Sequence, residues 1–244
     1  MVLTDWLSMT PAEKRATKQE WFELQQGEVA SSYDFSKQKI VYPKISQGAK
    51  FSFGPANFLP NKTVLSLFTN CFAFLALLNS RLTWFYLNQI CTALRGGEWR
   101  LFLQSIYVET LPIPFTSEAQ KGELGKLAEA AQTVTEKRYD LQQAITRRIP
   151  DLSVDPANAK LTGKLNEWWN LPDFAAFQKE VEKTLNAKIP LQERNDWENW
   201  ITTSRAEIYA MTAEIARLEA EINAKVYALF NLTPSEVALL EANV

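Results

Sequence analysis

The chain predicts an α+β fold, a small mixed α/β domain followed by an all-α helical bundle or long-helix arm. Three observations carry this. Charge changes sign: Met1 to Phe115 holds 11 Lys+Arg against 8 Asp+Glu, a net of +3, and Thr116 to Val244 holds 15 against 20, a net of −5. Hydrophobic periodicity changes from short β-branched and aromatic runs to three- and four-residue helical steps. Between the two stands Leu111-Pro112-Ile113-Pro114, which no helix continues through, because proline lacks a backbone N–H and disfavours helix in the residue before it. The boundaries that follow are 1–115 and 116–244.

In chain order, Thr10-Pro11-Ala12-Glu13 has the hydroxyl, first-turn proline and carboxylate of a helix start, and a short helix runs on toward Gln25. Gly27 to Ser36 is a loop. Lys39 to Ser46 is β-branched and aromatic, with Pro43 fitting an edge strand or a strand end. A turn at Gln47 to Lys50 leads to the short alternating Phe51-Ser52-Phe53. After a second turn, Phe58-Leu59 is a brief strand, and Lys62 to Phe68 is another. A single helix from about Asn70 to Ala93 carries Phe72, Leu75, Leu78, Leu82 and Phe85 on one stripe.

Beyond Pro114, Leu124, Leu127, Ala131, Val134, Arg138, Leu141 and Ile145 form a packing seam with one polar break at Arg138. Arg147 to Leu161 holds two prolines and is a loop. Asp173 to Ile189 is a second helix, and Trp197 to Leu229 marks part of a helix of roughly 35 to 40 residues, some 55 Å long. Thr233-Pro234-Ser235-Glu236 is a capping box that opens a final short helix.

Composition excludes several chemistries. There is no histidine, so histidine triads, histidine general bases and imidazole zinc sites are out. No GxGxxG or GxxxxGK[ST] occurs, no paired prolines follow Asn or Asp, and no Pro-Asp precedes Glu-x-Lys. Cys71 and Cys91 lie in apolar sequence as buried, reduced thiols, which fits a cytoplasmic protein. The acidic start, Met1 to Asp5, lacks the basic opening of a signal peptide. The uncharged stretch Val64 to Leu78 would rise only about 22 Å as helix, too short for the hydrocarbon core, so no membrane span is expected.

What remains is recognition. Between Phe35 and Arg100 eight basic residues stand against Glu98 alone, a net of +7. Such a field favours a polyanionic partner. Trp21-Phe22-Glu23-Leu24-Gln25, Lys39-Ile40-Val41-Tyr42-Pro43, Leu77-Leu78-Asn79-Ser80 with Phe85-Tyr86, Arg95-Gly96-Gly97, Tyr107-Val108-Glu109 and Leu111 to Pro114 together resemble, in order, the TaqI-like C-terminal specificity domain. That domain belongs to N6-adenine DNA methyltransferases and fused type IIG restriction–modification enzymes. The tail, Ile222 to Phe230 and Leu232 to Val237, resembles their closing segment.

The resemblance implies target recognition without independent catalysis. In complete enzymes a methyltransferase domain precedes this region, so S-adenosylmethionine is expected on a separate catalytic domain and no cofactor on this chain. Double-stranded DNA is the expected ligand. Lys44, Lys50, Lys62, Arg95 and Arg100 are candidates for phosphate, with Gly96 and Gly97 allowing close backbone approach. Ser46, Gln47, Ser52, Asn57 and Gln104 are candidates for base edges. The helical arm is expected to dock a methyltransferase or restriction chain, or to self-associate. The alternatives are a non-catalytic assembly module, whose basic domain binds an acidic protein face, and a truncated remnant of such an enzyme.

Overall fold

The computed structural model describes residues 35–94, 99–114 and 117–243. The helix expected between Thr10 and Gln25 lies outside them. Two three-stranded antiparallel sheets grow from one run of chain. The first strand, β1 (Lys39–Pro43), hands over at Lys44 to β2 (Ile45–Ser46). In the first sheet β1 is central, flanked by β3 (Ser52–Gly54) and β4 (Val64–Leu67). Its register pairs Ile40 with Phe53 on one side and with Leu67 on the other. In the second sheet β6 (Arg100–Phe102) is central, between β2 and β5 (Thr92–Leu94). Lys44 joins the sheets through its backbone: its N–H donates to Thr63 O (2.8 Å), and its carbonyl accepts from Leu103 N (2.8 Å).

Pro43 stands at a strand end, one of the two places expected for it: it is the last residue of the central strand β1, opposite Val64. Two other expectations are corrected here. Phe58-Leu59 is no strand, because Asn57 takes a left-handed φ of 63° and Phe58 N turns back onto Pro55 O. The single helix from Asn70 to Ala93 is two helices, α1 (Phe72–Asn79) and α2 (Arg81–Ile90), and Ala93 belongs to β5. Ser80 makes the break. Its backbone is extended, its hydroxyl donates to Leu77 O (2.7 Å), and it accepts from Thr83 N, capping α2.

A core of Ile40, Tyr42, Phe51, Phe53, Leu75, Leu78, Leu87, Leu101 and Leu103 lies between the sheets and these helices. β3 is an edge strand whose outward amides are covered rather than left open. Asn79 does this with both ends of its amide, accepting from Phe51 N (3.0 Å) and donating to Phe51 O (2.8 Å). Gln132 accepts from Phe53 N (3.4 Å).

After α3 (Ser105–Val108), the chain is helical. α4 (Glu118–Thr146) is capped by the Ser117 hydroxyl and carries the expected seam. Short turns at Ile149–Leu152 and Pro156–Asn158 occupy the expected loop, and α5 (Gly163–Asn166) and the turn Trp168–Asn170 follow. α6 (Phe174–Leu185) starts on the Asp173 carboxylate, which accepts from Ala176 N (2.8 Å), and stops at Asn186, in left-handed conformation. α7 (Arg194–Leu229) has 36 residues, close to the expected length, and α8 (Pro234–Glu241) opens on the complete Thr233–Glu236 capping box.

α4 and α7 run antiparallel. The start of α4 (Leu124, Ala128) shares a core with the end of α7 (Ile222, Val226), and its end (Ile145) shares one with the start of α7 (Ile201, Ile208). The polar break at Arg138 is absorbed by a hydrogen bond from its guanidinium to Thr212 Oγ1 (3.1 Å). α1 belongs to both halves of the chain. Leu75 and Leu78 face the sheet core, and Ala73, Ala76 and Leu77 face α4 and α7.

Candidate nucleic-acid interface

Side chains paired across an antiparallel ladder share a face, and alternate pairs face opposite ways. In the second sheet the row Ser46–Leu101–Ala93 points inward: Ser46 and Leu101 are buried and Ala93 is half-buried. The row Ile45–Phe102–Thr92 therefore points outward, and so does the pair Arg100–Leu94 beyond it. Ile45 is 47% exposed, unusual for a β-branched residue inside a sheet. Lys44 folds its ammonium over the Phe102 ring, 5.0 Å from the centroid, a cation–π contact that holds the charge on this face. Thr92 Oγ1 and Tyr107 Oη meet at 3.3 Å. Trp99, 63% exposed, stands beside β6 with its indole N–H fixed on Asn88 Oδ1 (3.0 Å).

The candidates predicted from sequence separate into groups on this frame. Lys44, Gln47 and Arg100 come together at the outward face: Gln47 is exposed just past the end of β2, and Arg100 is half-buried in β6. Lys62 is exposed next to Thr63, whose carbonyl holds the Lys44 N–H, and so borders the same region. Gln104 follows β6, half-buried; its carbonyl accepts from Tyr107 N and Val108 N, starting α3.

Others lie elsewhere. Ser46 is buried, and its hydroxyl donates to Gly48 O (2.7 Å), which closes the turn rather than facing a groove. Asn57 and Ser52 belong to the first sheet: Ser52 is exposed on β3, and Asn57 is exposed, with its backbone N–H on Phe35 O (3.1 Å). Lys50 lines a cleft of about 610 Å³ between β3, α1, α4 and α7. Arg95, Gly96 and Gly97 lie between β5 and β6, outside the described residues.

The net of +7 overstates the free charge. Lys39 is fully buried and gives its ammonium to the carbonyls of Phe35 and Lys37 (3.0 Å each). Arg81 pairs with Glu241 at the arm. No Asp or Glu occurs from Phe35 to Leu94, so β1 to β5 bring no carboxylate to the face. Behind the sheets, burial pushes the Tyr42 phenol up to about 12 and the Cys91 thiol up to about 11, so both stay neutral core groups. Both cysteines are free thiols, Cys91 buried and Cys71 half-buried. Among the described residues no cluster of His, Cys, Asp or Glu could hold a metal ion, and no helix is long and apolar enough to cross a membrane.

Sequence reasoning missed Ile45, Thr92, Trp99 and Phe102. The outward direction of Ile45, Thr92 and Phe102 follows from the pairing of β2 and β5 with β6, and the strand alternation within Thr92–Leu94 was a signal that could have found Thr92.

Comparison with known families bears on this face directly. Residues 5–113 match the TaqI-like C-terminal specificity domain. The specificity-domain segment contains both sheets, α1, α2 and the outward face, and its family points to sequence-specific DNA recognition in restriction–modification systems. The match ends at residue 113, so the likeness read in the tail falls outside it. Residues 117–226 match a different family, a domain of unknown function (DUF8810). No curated protein and no solved structure matches the chain.

Proposed function

We propose that this chain is the specificity part of a restriction–modification DNA methyltransferase, with residues 1–115 as the target-recognition domain and 116–244 as a spacer and docking domain. The observation that supports it most is the outward face of the second sheet. It is a solvent-facing surface with Lys44, Arg100 and Lys62 beside it, the uncharged polar side chains of Gln47 and Gln104 at its rim, and no carboxylate in the strands before β6, inside a segment that matches a specificity domain. Lys44, Lys62 and Arg100 contact phosphate and set the register on the duplex. Gln47 and Gln104 reach base edges, and the methyl-bearing Ile45 and Thr92 meet apolar groups such as the thymine methyl. Methyl transfer, with its S-adenosylmethionine, is the work of a separate catalytic chain in the cytoplasm, held by the helical arm.

Duplex binding followed by fluorescence anisotropy tests this. Affinity should fall steeply with salt, and Arg100→Ala or Lys44→Ala should weaken binding to all sequences alike, each flattening the log–log salt slope by about 0.9. Gln47→Ala should instead change which sequence is preferred. Absence of salt-dependent binding, even with an adenine methyltransferase partner present, overturns the reading and favours an assembly module whose basic face meets an acidic protein.

A further inference from the structure

The far end of the helical arm carries a groove that the DNA-reading role does not use. It lies between the turn Ile149–Leu152 and the start of α7, has a volume of about 520 Å³, and is lined by Arg148, Asp151, Leu152, Glu193, Asp196, Trp197 and Trp200. Trp197 is anchored: its ring stacks on Phe177 in the arm core (centroids 6.0 Å apart) and meets Trp200 at 5.5 Å. Trp200 itself reaches solvent, as do Leu191, 75% exposed, and Val154, 96% exposed, on the neighbouring loops. Exposing this much apolar surface at one tip is unusual for a protein with nothing to bind there.

The polar lining says what the partner carries. Three carboxylates face one guanidinium, and Arg148 is already paired with Asp151 (3.4 Å). Glu193 and Asp196 are in none of the ion pairs found among the described residues. Two indole rings beside uncommitted carboxylates attract a planar cation, which stacks on the ring face and hydrogen-bonds both oxygens of a carboxylate. DNA is the wrong sign for such a place. Trp197 also lies about 37 Å along α7 from Ile222, where α7 meets α1, so a protein bound here stays clear of the sheet face.

We propose that this groove docks a segment of a partner protein that inserts an arginine between Trp200 and the carboxylates of Glu193 and Asp196, flanked by aliphatic residues that cover Leu191 and Val154. The proposal stands whether or not the sheet face binds DNA.

The test uses the full chain and a synthetic helical peptide with one arginine set among leucines, titrated by tryptophan fluorescence and calorimetry against a twin carrying citrulline. The arginine peptide should bind about tenfold more tightly than its neutral twin, and Trp200→Ala or Asp196→Asn should each remove about that factor. Glu207→Gln, an exposed carboxylate farther along α7, should leave binding unchanged. Equal affinity for the two peptides, or equal losses in Glu207→Gln and Asp196→Asn, overturns the proposal. So does a chain that dimerises in sedimentation velocity and becomes monomeric on Trp200→Ala, which would assign the groove to a second copy.

Discussion

The sheet-bearing segment and the helical arm solve the same problem of burying apolar surface by opposite means. In the arm, α4 and α7 bury a stripe that recurs along each helix, and their polar seams close through side chains such as Lys225 and Glu123 (2.9 Å). In the sheet segment the strands are two to five residues long, and no strand is stable without partners distant in sequence. Besides the shared core, its sheets are tied together by single backbone junctions, Lys44 with Thr63 and Leu103, and the Asn79 amide holds Phe51 just before β3. Periodic burial makes an extended, uniform pair of helices. Non-local pairing makes a surface whose outward residues come from three separate stretches of chain.

Core truncations test this contrast most strongly. Leu77→Ala, in the helix shared by both regions, should cost about 2–5 kcal/mol. It should lower hydrogen-exchange protection in the sheets and in the adjoining ends of α4 and α7 together. Phe177→Ala, fully buried at the far end of the arm, should cost a similar amount but leave protection of the sheets intact. Loss of sheet protection in Phe177→Ala would make the two regions one cooperative unit. Asn79→Ala comes next, at about 1–3 kcal/mol, because it strands the Phe51 amide and carbonyl at a covered edge.

Alkaline pH separates the regions by chemistry. The Tyr42 phenol has a folded value raised above its unfolded value of 10, so its contribution is fully present below pH 10 and is lost as pH rises toward 12. Cys91 acts the same way in a lower window, between 9 and 11. Denaturant midpoints should therefore fall between pH 9 and 12, and Tyr42→Phe should remove the upper part of that fall. An unchanged profile in Tyr42→Phe would show that its phenol is not buried as described. The smallest effect is a gain. Gly122 sits inside α4 with open space where a Cβ would go, so Gly122→Ala should stabilise by about 0.5–1 kcal/mol, read as a raised melting temperature.

The arm was largely readable from the residue order because its signals are local. Helical steps gave α4 and α7, and Thr233 to Glu236 satisfied one another within a single turn. The break between α1 and α2 was also written locally, as a serine followed three residues later by a threonine, but the apolar stripe runs on across it and masks the cap. The candidate site was less readable. Charge picked out Lys44 and Arg100, yet their common face depends on Ile45 lying opposite Phe102, and no spacing within one strand encodes that register. Lys39 shows the limit of counting charges, since a fully buried ammonium held by two carbonyls cannot itself contact a ligand.

The two faces of α1 bear on how such a chain could acquire a new target. Exchanging the whole segment before Pro114 for that of a relative would carry across one half of the interface formed by Ala73, Ala76 and Leu77, and leave Leu124, Ala128, Ile222 and Val226 behind. Replacing Ile45, Thr92 and Phe102 side chain by side chain would instead change the outward row and keep that small-residue seam. Change of the outward face is therefore cheapest one side chain at a time, while α1 ties that face to the arm packed behind it.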